Sequence, residues 1–114
     1  MQIQSDPETE LWLSQFIPIH ENFDWDTGNE LKNLKHGITS WQTESIFHHK
    51  QIVFVGEIIK PIHEEWRGLI LGIDNTGKFL VLIFTKRENK IRPISCRAMR
   101  KKEVQIYHEK TKTR

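Results

Sequence analysis

Basic and proton-transferring side chains recur along the sequence between residues 35 and 107. Histidine can donate or accept a proton near neutral pH, and arginine binds phosphate through a planar two-point contact. Metal-free RNA cleavage needs a base for the 2′-hydroxyl, cations for the growing charge and an acid for the leaving oxygen. The side chains that could supply these parts are Lys35, His36, Arg67, Arg92, Arg97, Arg100 and Tyr107.

These residues also have structural explanations, which the residue types alone leave open. His36 could lie at a helix C-terminus, where the helix dipole favours a cation, and the arginines could form a solvated rim. No Cys-x-x-Cys, His-Glu-x-x-His or glycine-rich phosphate loop occurs. The adjacent His48 and His49 would diverge by about 100° on a helix and chelate poorly. Cys96 has no nearby histidine, which predicts a buried structural thiol. We therefore predict no metal and no cofactor.

The charges are divided unevenly along the chain, although the net charge is only +2. Residues 1–77 carry 5 Lys or Arg and 12 Asp or Glu, a balance of −7, whereas residues 78–114 carry 12 and 3, a balance of +9. Such an asymmetry favours a polyanionic partner, most often nucleic acid. The alternative is a fold in which the two oppositely charged halves face each other.

Length and composition predict one intracellular domain. The chain has 114 residues, of which 37% are hydrophobic and 28% charged, values typical of a single globular domain. No apolar run approaches the roughly 20 residues that cross a bilayer, so no membrane association is expected. The acidic N-terminus does not resemble a secretory signal. The single cysteine is consistent with a reducing compartment, and we predict a cytoplasmic protein.

The N-terminal half of the sequence predicts short helices. Asp6-Pro7-Glu8 is a helix start, and the apolar strip that follows is expected to pack on the domain before Pro18 ends the helix. This strip comprises Leu11, Trp12, Phe16 and Ile17. We treat residues 1–20 as an extension, residues 21–110 as the domain and residues 111–114 as a basic tail.

The start of the predicted domain carries two further helix signals. Residues 23–25 could form a short strand, after which Asp26 is a suitable N-cap for a helix that Gly37 ends. Thr39 and Gln42 have the spacing of a capping box for a helix over about residues 40–49. The β-branched run 51–56 predicts a strand.

Three apolar runs of strand length follow, at residues 66–73, 79–86 and 90–97. Short polar turns separate them, so they are predicted to be consecutive antiparallel strands. Residues 101–112 then form a predicted amphipathic helix with Val104 and Tyr107 on one side. The order of elements predicts an α+β fold built on an antiparallel sheet.

Segments between residues 23 and 107 resemble, in order, the BrnT family of toxins from bacterial type II toxin–antitoxin systems. The strand Ile-Ser-x-Arg followed by a Glu…Tyr helix is the most specific part. The matching pieces are Phe23-Asp-Trp-Asp26, Gly28-Asn29, Lys35-His-Gly-Ile38, Glu44, Ile46-Phe47, Glu65-Trp-Arg67, Gly72, Gly77, Phe84-Thr85, Ile91-Arg-Pro-Ile-Ser95, Arg97, Met99, Lys102-Glu103 and Tyr107.

The resemblance implies a RelE-like curved antiparallel sheet with two N-terminal helices and a C-terminal helix. It also implies a metal-independent endoribonuclease that inhibits translation. A BrnA-like ribbon-helix-helix antitoxin would neutralise it and would alone bind operator DNA. A non-catalytic nucleic-acid-binding or antitoxin-interaction module of the same fold is the alternative. The active residues that the resemblance implies are His36 for proton transfer, with Lys35, Arg67, Arg92, Arg97 and Tyr107.

The chain departs from the family at Cys96, where alanine is common, and at Thr27, where proline or glutamate is common. A geometric condition also applies to Arg92 and Arg97. Their opposite parity would place them on opposite faces of a regular strand. A bulge at Pro93 would bring both arginines to one face.

Overall fold

The computed structural model describes residues 1–48 and 51–112. Within them, a five-stranded antiparallel sheet has the order β1-β2-β3-β4-β5, with four α-helices around it. The strands are β1 (Gln2–Gln4), β2 (Val53–Lys60), β3 (Gly68–Ile73), β4 (Phe79–Arg87) and β5 (Lys90–Ala98). The helices are α1 (Pro7–Ser14), α2 (Thr27–Leu34), α3 (Ser40–Ser45) and α4 (Lys101–Thr111), and a 3₁₀ turn spans His20–Asn22.

The predicted α+β class and the three consecutive antiparallel strands are confirmed. Arg87 pairs with Lys90 across a two-residue turn, in which Glu88 and Asn89 have φ of 53° and 65°. Positive φ at both central residues is typical of a type I′ turn, whose twist matches that of the two strands. This tight turn places the end of β4 beside the start of β5.

The N-terminal segment belongs to the sheet and to its apolar core. Strand β1 pairs with β2, and Asp6 caps α1 as predicted. Lys86 donates a hydrogen bond of 3.0 Å to the Thr9 hydroxyl and lies over the rings of Trp12 and Trp66, 5.6 and 4.9 Å from their centroids. The Trp66 indole donates to Asp6 over 3.1 Å. These contacts join α1 to the middle of the sheet.

The predicted apolar strip of the first helix is only partly correct. Trp12 and Phe16 pack against the core, whereas Leu11 and Ile17 are exposed. The helix also ends at Ser14, before Pro18.

Helices α2 and α3 begin at the predicted caps. Asp26 and Asn29 form one capping box, and Thr39 and Gln42 form the other. Gly37 follows α2 with φ of +75°, as expected for a residue just beyond a helix C-terminus. Helix α3 ends at residue 45; of its predicted extension, residues 46–48 form a turn and His49 lies outside the described residues. The strand predicted at residues 23–25 is only a single parallel bridge to β5.

The sheet buries side chains on both faces. One face packs against α1 and against Ile38 and Ile46, which flank α3, with Ile70, Leu82 and Phe84 fully buried. The other packs against α4 through Leu71 and Val81. None of the helices in the described part of the chain is long and apolar enough to cross a membrane.

Candidate functional site

A β-bulge in β5 sets the geometry of the candidate site. Ser95 pairs with Ile83 and Pro93 pairs with Phe84, so Ile94 is an extra residue in β5. A bulge of this kind changes the face that the following side chains occupy. It occurs beside Pro93, where a bulge was the condition for the two arginines to share a face.

The bulge brings the two arginines of β5 to the same face. Arg92 pairs with Thr85, and Arg97 pairs with Val81. Thr85 and Val81 are four residues apart on the regular strand β4 and therefore share a face. Arg92 and Arg97 therefore share a face although their positions in the sequence have opposite parity.

Helix α2 lies along the outer edge of β5 and is held there by side-chain amides. The Asn29 amide donates to the Pro93 carbonyl over 2.9 Å, and the Asn33 side-chain oxygen accepts from the Cys96 N–H over 2.9 Å. The backbone N–H of Asp24 donates to the Ile91 carbonyl over 2.8 Å. These bonds satisfy backbone groups of an edge strand and fix the start of α2 beside Arg92.

An open cleft of about 580 Å³ lies between the start of α2, the end of β4 and the bulged part of β5. We call it the basic cleft, since its four cations outnumber its two acids. The cations are Lys32, Arg67, Arg87 and Arg92, and the acids are Asp26 and Glu65.

Ion pairs fix two of the arginines in the basic cleft. Arg87 donates two hydrogen bonds to Glu65, of 2.9 and 3.0 Å. Arg92 donates to Asp26 over 2.8 Å and lies 3.6 Å from Asp24. These pairs join the acidic N-terminal half to the basic C-terminal half. Contact between the two charged halves is therefore compatible with a site for a polyanionic partner. The halves face each other at the edge of a cleft that retains a positive excess.

Both carboxylates of the basic cleft are acidic and hence ionised at neutral pH. The hydrogen bonds from Arg87 lower the pKa of Glu65, with smaller contributions from the charges of Arg92 and Arg67. The Asn29 N–H lowers the pKa of Asp26, and Arg92 adds to this effect. The influence of three arginines on one carboxylate indicates that their charges converge around Glu65.

Arg67 has hydrogen-bonding capacity that its neighbours do not use. Its carbonyl accepts from the Ile58 N–H over 2.8 Å, which holds the backbone at the start of β3. Its side-chain Nε is buried and has no hydrogen-bond partner among the described residues. Buried polar groups are normally paired, so the unpaired donor of Arg67 is an exception that a bound ligand or a water molecule would account for.

Two further residues of the predicted site anchor α4. Arg97 donates to both carboxylate oxygens of Glu103, each over 2.9 Å, and to the Ala98 carbonyl. The buried Tyr107 donates to the Gln51 carbonyl over 2.6 Å, and burial raises its pKa. Neither residue lines the basic cleft.

The remaining predicted residues, Lys35 and His36, are exposed just beyond the end of α2. The eight residues of α2 advance about 12 Å along the helix axis. His36 therefore lies roughly a helix length from the ion pair between Asp26 and Arg92. Of the predicted set, only Arg67 and Arg92 share the basic cleft.

Sequence reasoning missed Lys32, Glu65 and Arg87 as site residues. A signal for Arg87 was present, because a two-residue turn after β4 makes Arg87 and Lys90 cross-strand partners. Arg87 must then lie near Arg92. Lys32 had no such signal, since it comes from a helix on the other side of the cleft. Glu65 was part of the family motif Glu65-Trp-Arg67 but was given no role.

The buried Cys96 fits the predicted structural thiol, and burial raises its pKa to about 11. Within residues 1–48 and 51–112, no three or more His, Cys, Asp or Glu side chains form a group that could hold a metal ion.

The fold and the basic cleft define a small α+β protein with an arginine-rich site suited to a phosphate-bearing ligand. The chain also matches the family model described as ribonuclease toxin, BrnT, of type II toxin–antitoxin system, over residues 25–103. It therefore belongs to the BrnT family, as the ordered sequence motifs indicated. The match lies within the predicted domain of residues 21–110 and includes every cation of the basic cleft. No relative among curated proteins matches the chain.

Proposed function

We propose that this chain is a metal-independent endoribonuclease toxin, which cleaves RNA at the basic cleft and thereby inhibits translation. Membership of a ribonuclease toxin family supports the class of reaction. The observation that carries the proposal is the convergence of Arg67, Arg87 and Arg92 in one cleft, with the buried Nε of Arg67 unpaired among the described residues. We also propose that the sheet has the RelE-like arrangement that the family resemblance implies.

The scissile phosphate would be held by Arg67 and Arg92. A guanidinium presents several N–H donors in a plane and matches the oxygens of a phosphate better than an ammonium does. Arg92 is already oriented by Asp26, so little of its conformational freedom remains to be lost on binding. Cations fixed in this way stabilise the extra negative charge that the phosphate gains in the transition state.

Proton transfer from the 2′-hydroxyl is assigned to Glu65, and the leaving 5′-oxygen would take its proton from the solvent that the open cleft admits. The Glu65 carboxylate is ionised at neutral pH and remains 42% exposed, so a substrate can reach it. Each of its oxygens accepts one hydrogen bond from Arg87 and keeps a second lone pair that can take the proton. His36, which the family resemblance implied, is the alternative base. A base must come within about 3 Å of the proton that it removes. Glu65 is nearer to the arginines that would hold the phosphate.

The biological setting of the proposal follows from the type II toxin–antitoxin family. We propose a cytoplasmic toxin that a BrnA-like ribbon-helix-helix antitoxin neutralises by binding it directly. Operator DNA would be contacted by the antitoxin and not by this chain.

RNA cleavage in the presence of EDTA tests the proposed function. The purified chain should cut bulk RNA and leave cyclic phosphate or 3′-phosphate ends, as attack by the 2′-hydroxyl requires. Arg67→Met should abolish cleavage, because it removes the guanidinium with the unpaired donor. Lys101→Met is a matched control, since it removes an exposed cation of α4 outside the cleft. Salt-sensitive binding without cleavage would instead support the non-catalytic nucleic-acid-binding module.

A further inference from the structure

Helix α2 buries its asparagines and exposes its leucines. Asn29 and Asn33 are 7% and 0% exposed, whereas Leu31 and Leu34 are 54% and 51% exposed. Each helical residue turns the side chain by about 100°, so Asn29 and Asn33 share the face toward β5, and the leucines point to the opposite side. This arrangement reverses the usual one, in which a helix buries its apolar stripe.

Hydrogen bonds keep α2 in this orientation. The Asn29 amide donates to the carbonyls of Asp24 and Pro93, and Asn33 accepts from the Cys96 N–H. Rotation of the helix to bury its leucines would break these bonds and leave buried backbone groups unpaired. The leucines are therefore directed outward by the fold. A single exposed leucine is ordinary. A helix that buries its asparagines and exposes both of its leucines instead indicates that a partner covers the leucines.

Basic side chains flank the exposed leucines. Lys32 directly follows Leu31, and Lys35 lies one helical turn beyond Leu31. Both lysines are exposed. We call Leu31, Leu34, Lys32 and Lys35 the outer ridge. Lys32 also lines the basic cleft, so a molecule bound to the outer ridge would lie against the mouth of the cleft.

We infer that the outer ridge is the docking surface for an acidic, amphipathic segment of the antitoxin, an inference that rests on the proposed function for the existence of that partner. Apolar side chains of the segment would cover Leu31 and Leu34. Its carboxylates would pair with Lys32 and Lys35. Amphipathic segments commonly bind in this manner, with apolar anchors at the centre and charges around them.

Other occupants fit the outer ridge less well. RNA offers phosphates to the lysines, but its bases stack on aromatic rings and gain little from aliphatic leucines. A second copy of this chain in a two-fold dimer would bring together two outer ridges that each carry two lysines. Bringing two surfaces of the same charge together destabilises such an interface.

The double variant Leu31→Gln with Leu34→Gln tests the inference. Both positions are exposed and glutamine is a good helix former, so the fold should be retained, as a thermal melt would check. The control is Leu11→Gln with Ile17→Gln, which changes two apolar residues that are 62% and 64% exposed elsewhere on the surface. The probe is the protein encoded by the reading frame next to that of the toxin, purified separately and titrated in a calorimeter.

We expect the outer-ridge variant to bind this protein at least about tenfold more weakly, and the control variant to bind like the parent. Affinity should also fall as salt rises, because lysine–carboxylate contacts are screened. RNA cleavage by the outer-ridge variant should equal that of the parent, since neither leucine lines the basic cleft.

Several outcomes would overturn the inference. Equal affinity of parent and outer-ridge variant would show that docking occurs elsewhere. A homodimer that the variant disrupts would assign the ridge to a second copy, and reduced cleavage would assign it to RNA. A parent chain that cleaves RNA but does not bind the neighbouring protein would remove the partner and the inference with it. A parent chain that binds through the ridge but does not cleave RNA would overturn only the ribonuclease proposal.

Discussion

Arg87 and Glu65 form a two-point ion pair at the mouth of the basic cleft, with N···O distances of 2.9 and 3.0 Å. The side chains are 48% and 42% exposed, so solvent screens the pair and its contribution to stability is small. Its main effect is positional. Arg87 at the end of β4 holds a carboxylate from the loop before β3 among the arginines that would bind phosphate.

Glu65→Gln should lower RNA cleavage by about 10²–10⁴-fold, the usual effect of removing a general base. RNA binding should be retained or tightened, because the substitution removes a negative charge from the basic cleft. Single-turnover cleavage and a separate binding titration would distinguish the two effects. His36→Ala should cleave RNA at about the parent rate, since His36 lies outside the cleft. The reverse result, an active Glu65 variant and an inactive His36 variant, would establish His36 as the base.

The pH dependence of cleavage provides an independent test of the base. Arg87 lowers the pKa of Glu65, so this carboxylate stays deprotonated as the pH falls toward its ordinary value of about 4.3. With Glu65 as base, the rate should be nearly constant between about pH 5.5 and 7. A rate that falls steeply across this window would instead show that another group is the base. Single-turnover rates across this window decide between the two outcomes.

The ion pair between Arg97 and Glu103 should make the fold less stable in acid. The hydrogen bonds from Arg97 lower the pKa of Glu103, so its stabilising effect is present above the unfolded-state pKa of about 4.3 and is lost as the pH falls through the lower folded value. Glu103→Gln should cost about 1–2 kcal/mol at pH 7, because both partners are mostly buried and charge-assisted bonds are lost.

Urea unfolding of the parent and Glu103→Gln at pH 7 and near pH 3 would measure this effect. The difference in the free energy of unfolding should shrink at the lower pH, because Glu103 is protonated in the unfolded parent there and this favours unfolding. A difference of the same size at both pH values would show that packing of Glu103, and not its charge, holds α4 to the sheet.

Local signals in the sequence were sufficient for most of the elements. Asp26 and Thr39 are efficient caps because their side chains bond to N–H groups of the first helical turn, whatever the rest of the fold does. The orientation of α2 was not predictable in the same way. The helical pattern contains Leu31 and Leu34 as apolar residues. Which face is buried is determined by the hydrogen bonds that Asn29 donates to β5 and Asn33 accepts from it.

The geometry of the candidate site was predictable only for residues that are close together in the sequence. Arg92 and Arg97 are close in sequence, so their parity and the proline between them were enough to state a bulge as the condition for a shared face. Arg67 was found through the family motif and not through its position. The roles of Arg97 and Tyr107 in holding α4 could not be foreseen, because they depend on partners, Glu103 and Gln51, that only the packing of α4 selects.

Tyr107→Phe separates a structural from a catalytic role for this hydroxyl. The substitution keeps the ring in the core but removes the 2.6 Å hydrogen bond to the Gln51 carbonyl, which joins α4 to the segment before β2. A lost bond of this kind costs about 1 kcal/mol, so the midpoint of thermal unfolding should fall by roughly 4 °C. RNA cleavage below the midpoint should match the parent rate, because Tyr107 does not line the basic cleft. A normal melting temperature together with a large loss of cleavage would make Tyr107 the acid that protonates the leaving oxygen, and would require the site to extend from the basic cleft to α4.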